Sequence, residues 1–165
     1  MDATHIHLLL THFPIVGTII GIGILIYGQS SKNDSVKKVA LSTFIIMSIL
    51  TIPVFLTGEE AEETVEHLAG VSEIIIEEHE ELAEKAIWLM GLLGVFSLAS
   101  FYAIAKNLSI SKRLILITLL ISLATFGLFA KVGNLGGQIR HSEIRDGNAS
   151  VEDSQREYED EDDDD

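Results

Sequence analysis

Four apolar runs, each about as long as a helix needs to cross a hydrocarbon layer, constrain this chain more than any other feature. They fall at about 8–27, 39–57, 86–105 and 114–130, and a helix of about 20 residues covers the ~30 Å of a bilayer's hydrocarbon. Backbone N–H and C=O groups find no water there, so each run must satisfy them internally as a helix. The expected fold class is all-α: an integral membrane four-helix bundle over residues 1–147. An acidic helical segment outside the membrane joins spans 2 and 3. Residues 148–165 end in a run of Glu and Asp and read as a disordered tail, because like charges repel and little apolar surface is available to offset ordering.

Composition supports segregation of apolar and charged residues. The chain is 47% hydrophobic yet carries a formal charge of −14. With no cysteine, disulfides, thiolate metal sites and iron–sulfur clusters are excluded. The acidic balance argues against a nucleic-acid partner, which would need a basic patch. The start, MDATHIHLLL, lacks the basic n-region of a cleavable leader, so the first apolar run is expected to stay as a span.

Lysine and arginine set the expected orientation. Lys32, Lys37 and Lys38 lie between spans 1 and 2, and Lys106, Lys112 and Arg113 between spans 3 and 4, whereas the 2–3 connection holds only Lys85. The positive-inside rule then puts both short loops in the cytoplasm, and both termini and the acidic segment outside. All six histidines, His5, His7, His12, His67, His79 and His141, fall on that outer side. Imidazole is the usual protein donor to transition metals and haem.

The acidic segment Glu59–Glu84 contains eleven of the 25 acids and no base, and Gly70 is expected to divide it into two helical pieces. Glu59, Glu63 and His67 repeat at four-residue steps, which suits either a metal-binding edge or a solvated face. At 100° per residue, Val71, Ile75, Leu82, Ala86 and Leu89 form one stripe, with His79 inside it and Glu78 near its edge. Glu73, Glu77, Glu80 and Glu84 fall opposite. His12 lies inside the first apolar run, where a histidine usually faces the bundle interior. His5 shares its face about 10 Å away, while His7 lies about 200° around from His5 and is expected to point elsewhere. Past span 4, Gly136 and Gly137 allow close backbone approach, and Arg140 offers a partner for a carboxylate or a haem propionate. Gly17 and Gly21 form a small-xxx-small pair suited to close helix contact.

Together, His5-x-His7, Thr11-His12-Phe13-Pro14-Ile15, Thr57-Gly58-Glu59, Glu78-His79-Glu80 and Gly136-Gly137…Arg140-His141 resemble a bacterial four-helix membrane family known as domain of unknown function 2231. The resemblance covers about residues 3–144. It implies a bacterial inner-membrane protein whose relatives are fused to, or encoded beside, cytochrome-like redox modules, and it implies no defined activity. Relatives commonly carry proline after the last histidine, where this chain has Ser142.

The leading expectation is a membrane-embedded binding protein that carries electrons, holding haem b between His12 and His79, with His5, His67 and His141 available to a second site and Arg140 nearby. A non-haem site for Zn, Mn or Fe, built from Glu59, Glu63, His67, Glu78 and His79 for sensing or transport, is the alternative. A third reading is a structural subunit whose acidic roof docks a basic redox protein of cytochrome type. The lipid bilayer is a partner in all three, and each leaves room for a homo-oligomer. No nucleophile with its base and no phosphate-binding loop points to an enzyme.

Overall fold

A computed structural model describes residues 3–68, 70–141 and 144–145; the acidic tail lies outside the described residues. Those described form six helices and no strand: α1 (Ala3–Leu10), α2 (His12–Ser30), α3 (Asp34–Leu56), α4 (Gly58–Val65), α5 (Glu73–Ala105) and α6 (Ser111–Arg140). Four stretches are long and apolar enough to cross a membrane, Thr4–Ser30, Asp34–Val65, Glu73–Ala105 and Ser111–Arg140. The expected all-α four-helix bundle is the fold.

The chain runs up and down. α2 packs on α3, α3 on α5, α5 on α6 and α6 back on α2, which closes a ring in which α3 and α6 are diagonal. Heptad-like spacing builds the interface of α2: Pro14, Thr18, Gly21, Leu25 and Gly28 are all buried. Its glycines let the α3 backbone and rings come close. A β-carbon at Gly21 would lie 2.5 Å from the Phe44 ring, and one at Gly28 would lie 2.9 Å from the backbone nitrogen of Lys37. Leu25, Leu41, Phe44, Met90 and Leu93 fill the centre with no exposed surface. Large apolar side chains such as Ile20, Ile49, Trp88, Leu98, Leu116 and Leu120 cover the outside. That inversion suits a hydrocarbon surround and would be a liability in water.

Helix ends follow local chemistry. Asn33 caps α3, its side chain accepting from the Ser35 and Val36 backbone nitrogens, as an N-cap asparagine does. Pro53 sits in the last turn of α3, and Thr57 separates α3 from α4. Gly70 takes φ +80, a left-handed value that glycine adopts without steric cost, and it divides the acidic segment as expected. α5, at 33 residues, is about 50 Å long, so its glutamate-rich first third extends past the ~30 Å hydrocarbon layer. Glu73, Glu77, Glu80 and Glu84 are exposed, and of the expected stripe Ile75 and Ala86 are buried and Val71, Leu82 and Leu89 half-buried, with Met90 also buried. The two basic loops lie together at the opposite end, where Lys37 reaches Asp34 at 2.9 Å and Lys38 stands 5.9 Å from the centre of the Phe101 ring.

Beyond α6 the chain folds back through Arg145. Its Nε donates to the Gln138 carbonyl at 2.9 Å, and its Nη2 donates to Ile139 at 2.9 Å and to Gly70 at 2.6 Å. The guanidinium thus caps the carbonyl end of α6 and ties it to the α4–α5 turn. Arg145→Ala is expected to cost about 1.5–3 kcal/mol, the usual worth of charge-assisted bonds to backbone. A chain ending at Gly147 should melt like the full-length protein. Thermal melts of both in detergent check this, and equal midpoints for Arg145→Ala and wild type would remove the clasp from the account of stability.

Candidate functional site

Two histidines at the acidic end of the bundle, His7 and His79, each set a ring against a carbonyl of a neighbouring helix. His7 lies on α1 with its Nδ1 2.9 Å from the Val54 carbonyl of α3 and 3.4 Å from the Thr57 hydroxyl. Val54 is in the final turn of α3, where carbonyls lack helical N–H partners, so His7 caps that helix. His79 lies on α5 with its Nδ1 3.0 Å from the Val132 carbonyl of α6. Both side chains are half-buried.

These bonds fix the chemistry of the rings. A carbonyl only accepts, so each Nδ1 carries the proton and donates it. Each Nε2 is then an unprotonated lone pair, the ligating form that metal-bound histidines adopt through a backbone or carboxylate partner. Gly136 leaves room beside the His79 ring, whereas a side chain at Gly58 would make only ordinary contact with His7. A β-carbon at Gly136 would approach His79 Cε1 to 3.2 Å, and one at Gly58 would sit 3.6 Å from His7 Cε1. One helical turn before His7, the Thr4 hydroxyl is buried without a hydrogen-bond partner, which calls for a ligand or water.

The expected pairing of His12 with His79 is not what the structure brings together. His12 is exposed and its Nδ1 is 3.2 Å from Leu8 O, one turn back across the Thr11 break. Pro14 faces the core, and two residues back from it is about 200° around the helix, which turns His12 outward. The same geometry, counted seven residues back from Pro14, brings His7 inward, against the expectation that it points elsewhere. That stripe of small and polar residues was the sequence signal for His7.

The remaining candidates are scattered. His5 and His141 are exposed, and Arg140 is exposed at the last position of α6. His67 is exposed and 3.2 Å from Glu66. α4 ends at Val65, so the Glu59–Glu63–His67 stripe breaks before the histidine joins it. Glu78 pairs with Lys131 at 3.0 Å, joining α5 to α6. Among the described residues, no group of three or more His, Asp and Glu side chains is placed to share a metal ion. An open groove of about 450 Å³ lined by Phe55, Glu80, Glu81 and Glu84 lies on the acidic surface and includes neither imidazole. Comparison with known proteins finds no matching family model, curated protein or solved structure.

Proposed function

We propose that this chain is a membrane-embedded electron carrier that holds haem b between His7 and His79. The observation that supports it is the pair of half-buried imidazoles, each with Nδ1 committed to a backbone carbonyl on a neighbouring helix. Helix bundles commonly house haem between imidazoles of facing helices, and here His7 and His79 would hold it. A mononuclear non-haem ion asks for three or four protein ligands, and the described residues supply no such group. Haem supplies a reversible one-electron couple. His7 and His79 would hold and orient it, Gly136 would leave room beside the His79 ring, and the Thr4 hydroxyl would offer a hydrogen bond to a polar edge or to a bound water.

On this reading the chain belongs to the bacterial inner-membrane family it resembles. The acidic end and both termini face outward, and electrons pass to a basic cytochrome-type partner there. An absorption spectrum of the protein purified in mild detergent, before and after addition of haemin, tests the assignment. A Soret band that shifts on reduction is expected. Metal without a Soret band would support the non-haem alternative, and neither would leave the structural-subunit reading.

Orientation has its own test, made clean by the absence of native cysteine. Thr64→Cys, on exposed α4, should react with a membrane-impermeant thiol reagent in intact cells, and Ser109→Cys, in the α5–α6 turn, should be protected. The motive is the collection of Lys32, Lys37, Lys38, Lys106, Lys112 and Arg113 at one end. The reverse labelling pattern would invert the topology and move the imidazole pair to the cytoplasmic side.

A further inference from the structure

Half-way along the bundle, each of the four long helices places a hydroxyl: Thr18 on α2, Ser48 on α3, Ser97 on α5 and Ser122 on α6. Three further hydroxyls, Thr51, Ser100 and Thr118, are buried above and below, as is Thr125. Nearly all of the buried ones are satisfied within the protein. Thr18 donates to Pro14, Thr51 to Met47, Ser122 to Leu119 and Thr125 to Ile121. Ser100 and Thr118 bond each other at 2.8 Å across α5 and α6, and Thr118 also bonds the Leu114 and Phe96 carbonyls.

Ser97 is the exception. Its residue is 0% exposed and its hydroxyl is buried with no hydrogen-bond partner. The helix register shows what lies opposite. α5 and α6 are antiparallel and locked at Ser100–Thr118, so one turn towards the acidic end Ser97 comes level with Ser122. Ser122 uses its proton on Leu119 and keeps lone pairs for a donor. On the α3 side, Ser48 Oγ would lie 2.5 Å from a β-carbon at Gly94, one turn from Ser97 along α5. The missing side chain at Gly94 is what admits that hydroxyl between the helices.

We propose that α3, α5 and α6 enclose a hydration site at mid-depth, in which a water molecule is held by Ser97, Ser122 and Ser48. The chemistry suits water rather than an ion. The lining is neutral, hydroxyl-only and both donating and accepting, and a buried water needs two to four such partners. A cation would need a carboxylate or open carbonyls, and the nearby Phe96 and Leu119 carbonyls already accept hydroxyl bonds. This site is independent of the imidazole pair and stands whether or not haem is bound there.

Two measurements test it. Thermal midpoints of Ser97→Ala, Ser122→Ala and the double variant should each fall by several degrees, with the double falling no further than the larger single, because all three lose the same water. A Ser97→Ala midpoint equal to or above wild type would overturn the site, since deleting a hydroxyl that truly lacks a partner removes a burial cost. Additive losses would overturn it too. Radiolytic labelling in heavy-oxygen water reads the water itself. Leu93, 0% exposed and one turn from Ser97, is expected to take the label in wild type and to lose it in Ser97→Ala, and an unlabelled Leu93 in wild type would sink the proposal.

Discussion

On the proposed reading, His79→Ala and His7→Ala are each expected to abolish the same low-spin haem signal, while His12→Ala leaves it intact. The two inward rings are anchored to different helices, His7 to Val54 of α3 and His79 to Val132 of α6, so neither can stand in for the other. Each truncation also removes a hydrogen bond and opens a hole, at an expected cost of about 2–3 kcal/mol. His12, exposed and bonded only within its own turn, should change stability by no more than about 0.5 kcal/mol. Spectra and melts of the three variants, compared in one detergent, decide the matter. If His12→Ala erases the signal and His7→Ala keeps it, the site is not built on these two rings.

The second large effect is expected at Gly21. A methyl there would have to occupy space 2.5 Å from the Phe44 ring, and Phe44 is wholly buried with no direction in which to yield. Gly21→Ala should therefore cost about 2–3 kcal/mol through forced separation of α2 and α3. Gly28→Ala should behave similarly, because its new methyl would face the Lys37 backbone at 2.9 Å rather than a flexible side chain. Gly23→Ala is the control: nothing lies within 4 Å of its β-position, and alanine favours helix over glycine by up to about 1 kcal/mol. Should all three variants melt alike, close approach of α2 and α3 would contribute little to the fold.

Those glycines show where the sequence was legible. Gly17 and Gly21 stood out as a small pair fit for helix contact, and the contact they make is within the chain, against Met47 and Phe44 of α3. Gly28 continues the same stripe at the next heptad but lies beyond the polar boundary of the apolar run, where periodicity is easily dropped. Span number, loop placement and the inward stripe of α5 follow from apolar length and 3.6-residue repeat, both local properties. The inward position of His79 was legible because it shares a helical face with Val71, Ile75, Leu82 and Ala86.

The choice between His7 and His12 rested on depth instead of phase. An imidazole inside an apolar run usually faces inward, yet the core-facing Pro14 fixes the phase of α2 and turns His12 out. Tertiary partners were not legible at all. No spacing rule connects His7 to Val54, His79 to Val132 or Arg145 to Gly70, since those bonds depend on how the helices cross. Arg140 was singled out for its adjacent glycines, whereas the arginine that reaches back to the bundle is Arg145.

The anchoring of the two rings has a mechanical side. His7 hangs from α3 and His79 from α6, and these are the diagonal members of the ring of helices, not neighbours in it. On the proposed reading, a group held by both rings would act as a cross-strut, fixing the one spacing that side-by-side packing leaves free. Loading the site would stiffen the frame against shear, and tension on either diagonal helix would be borne at the bridging atom.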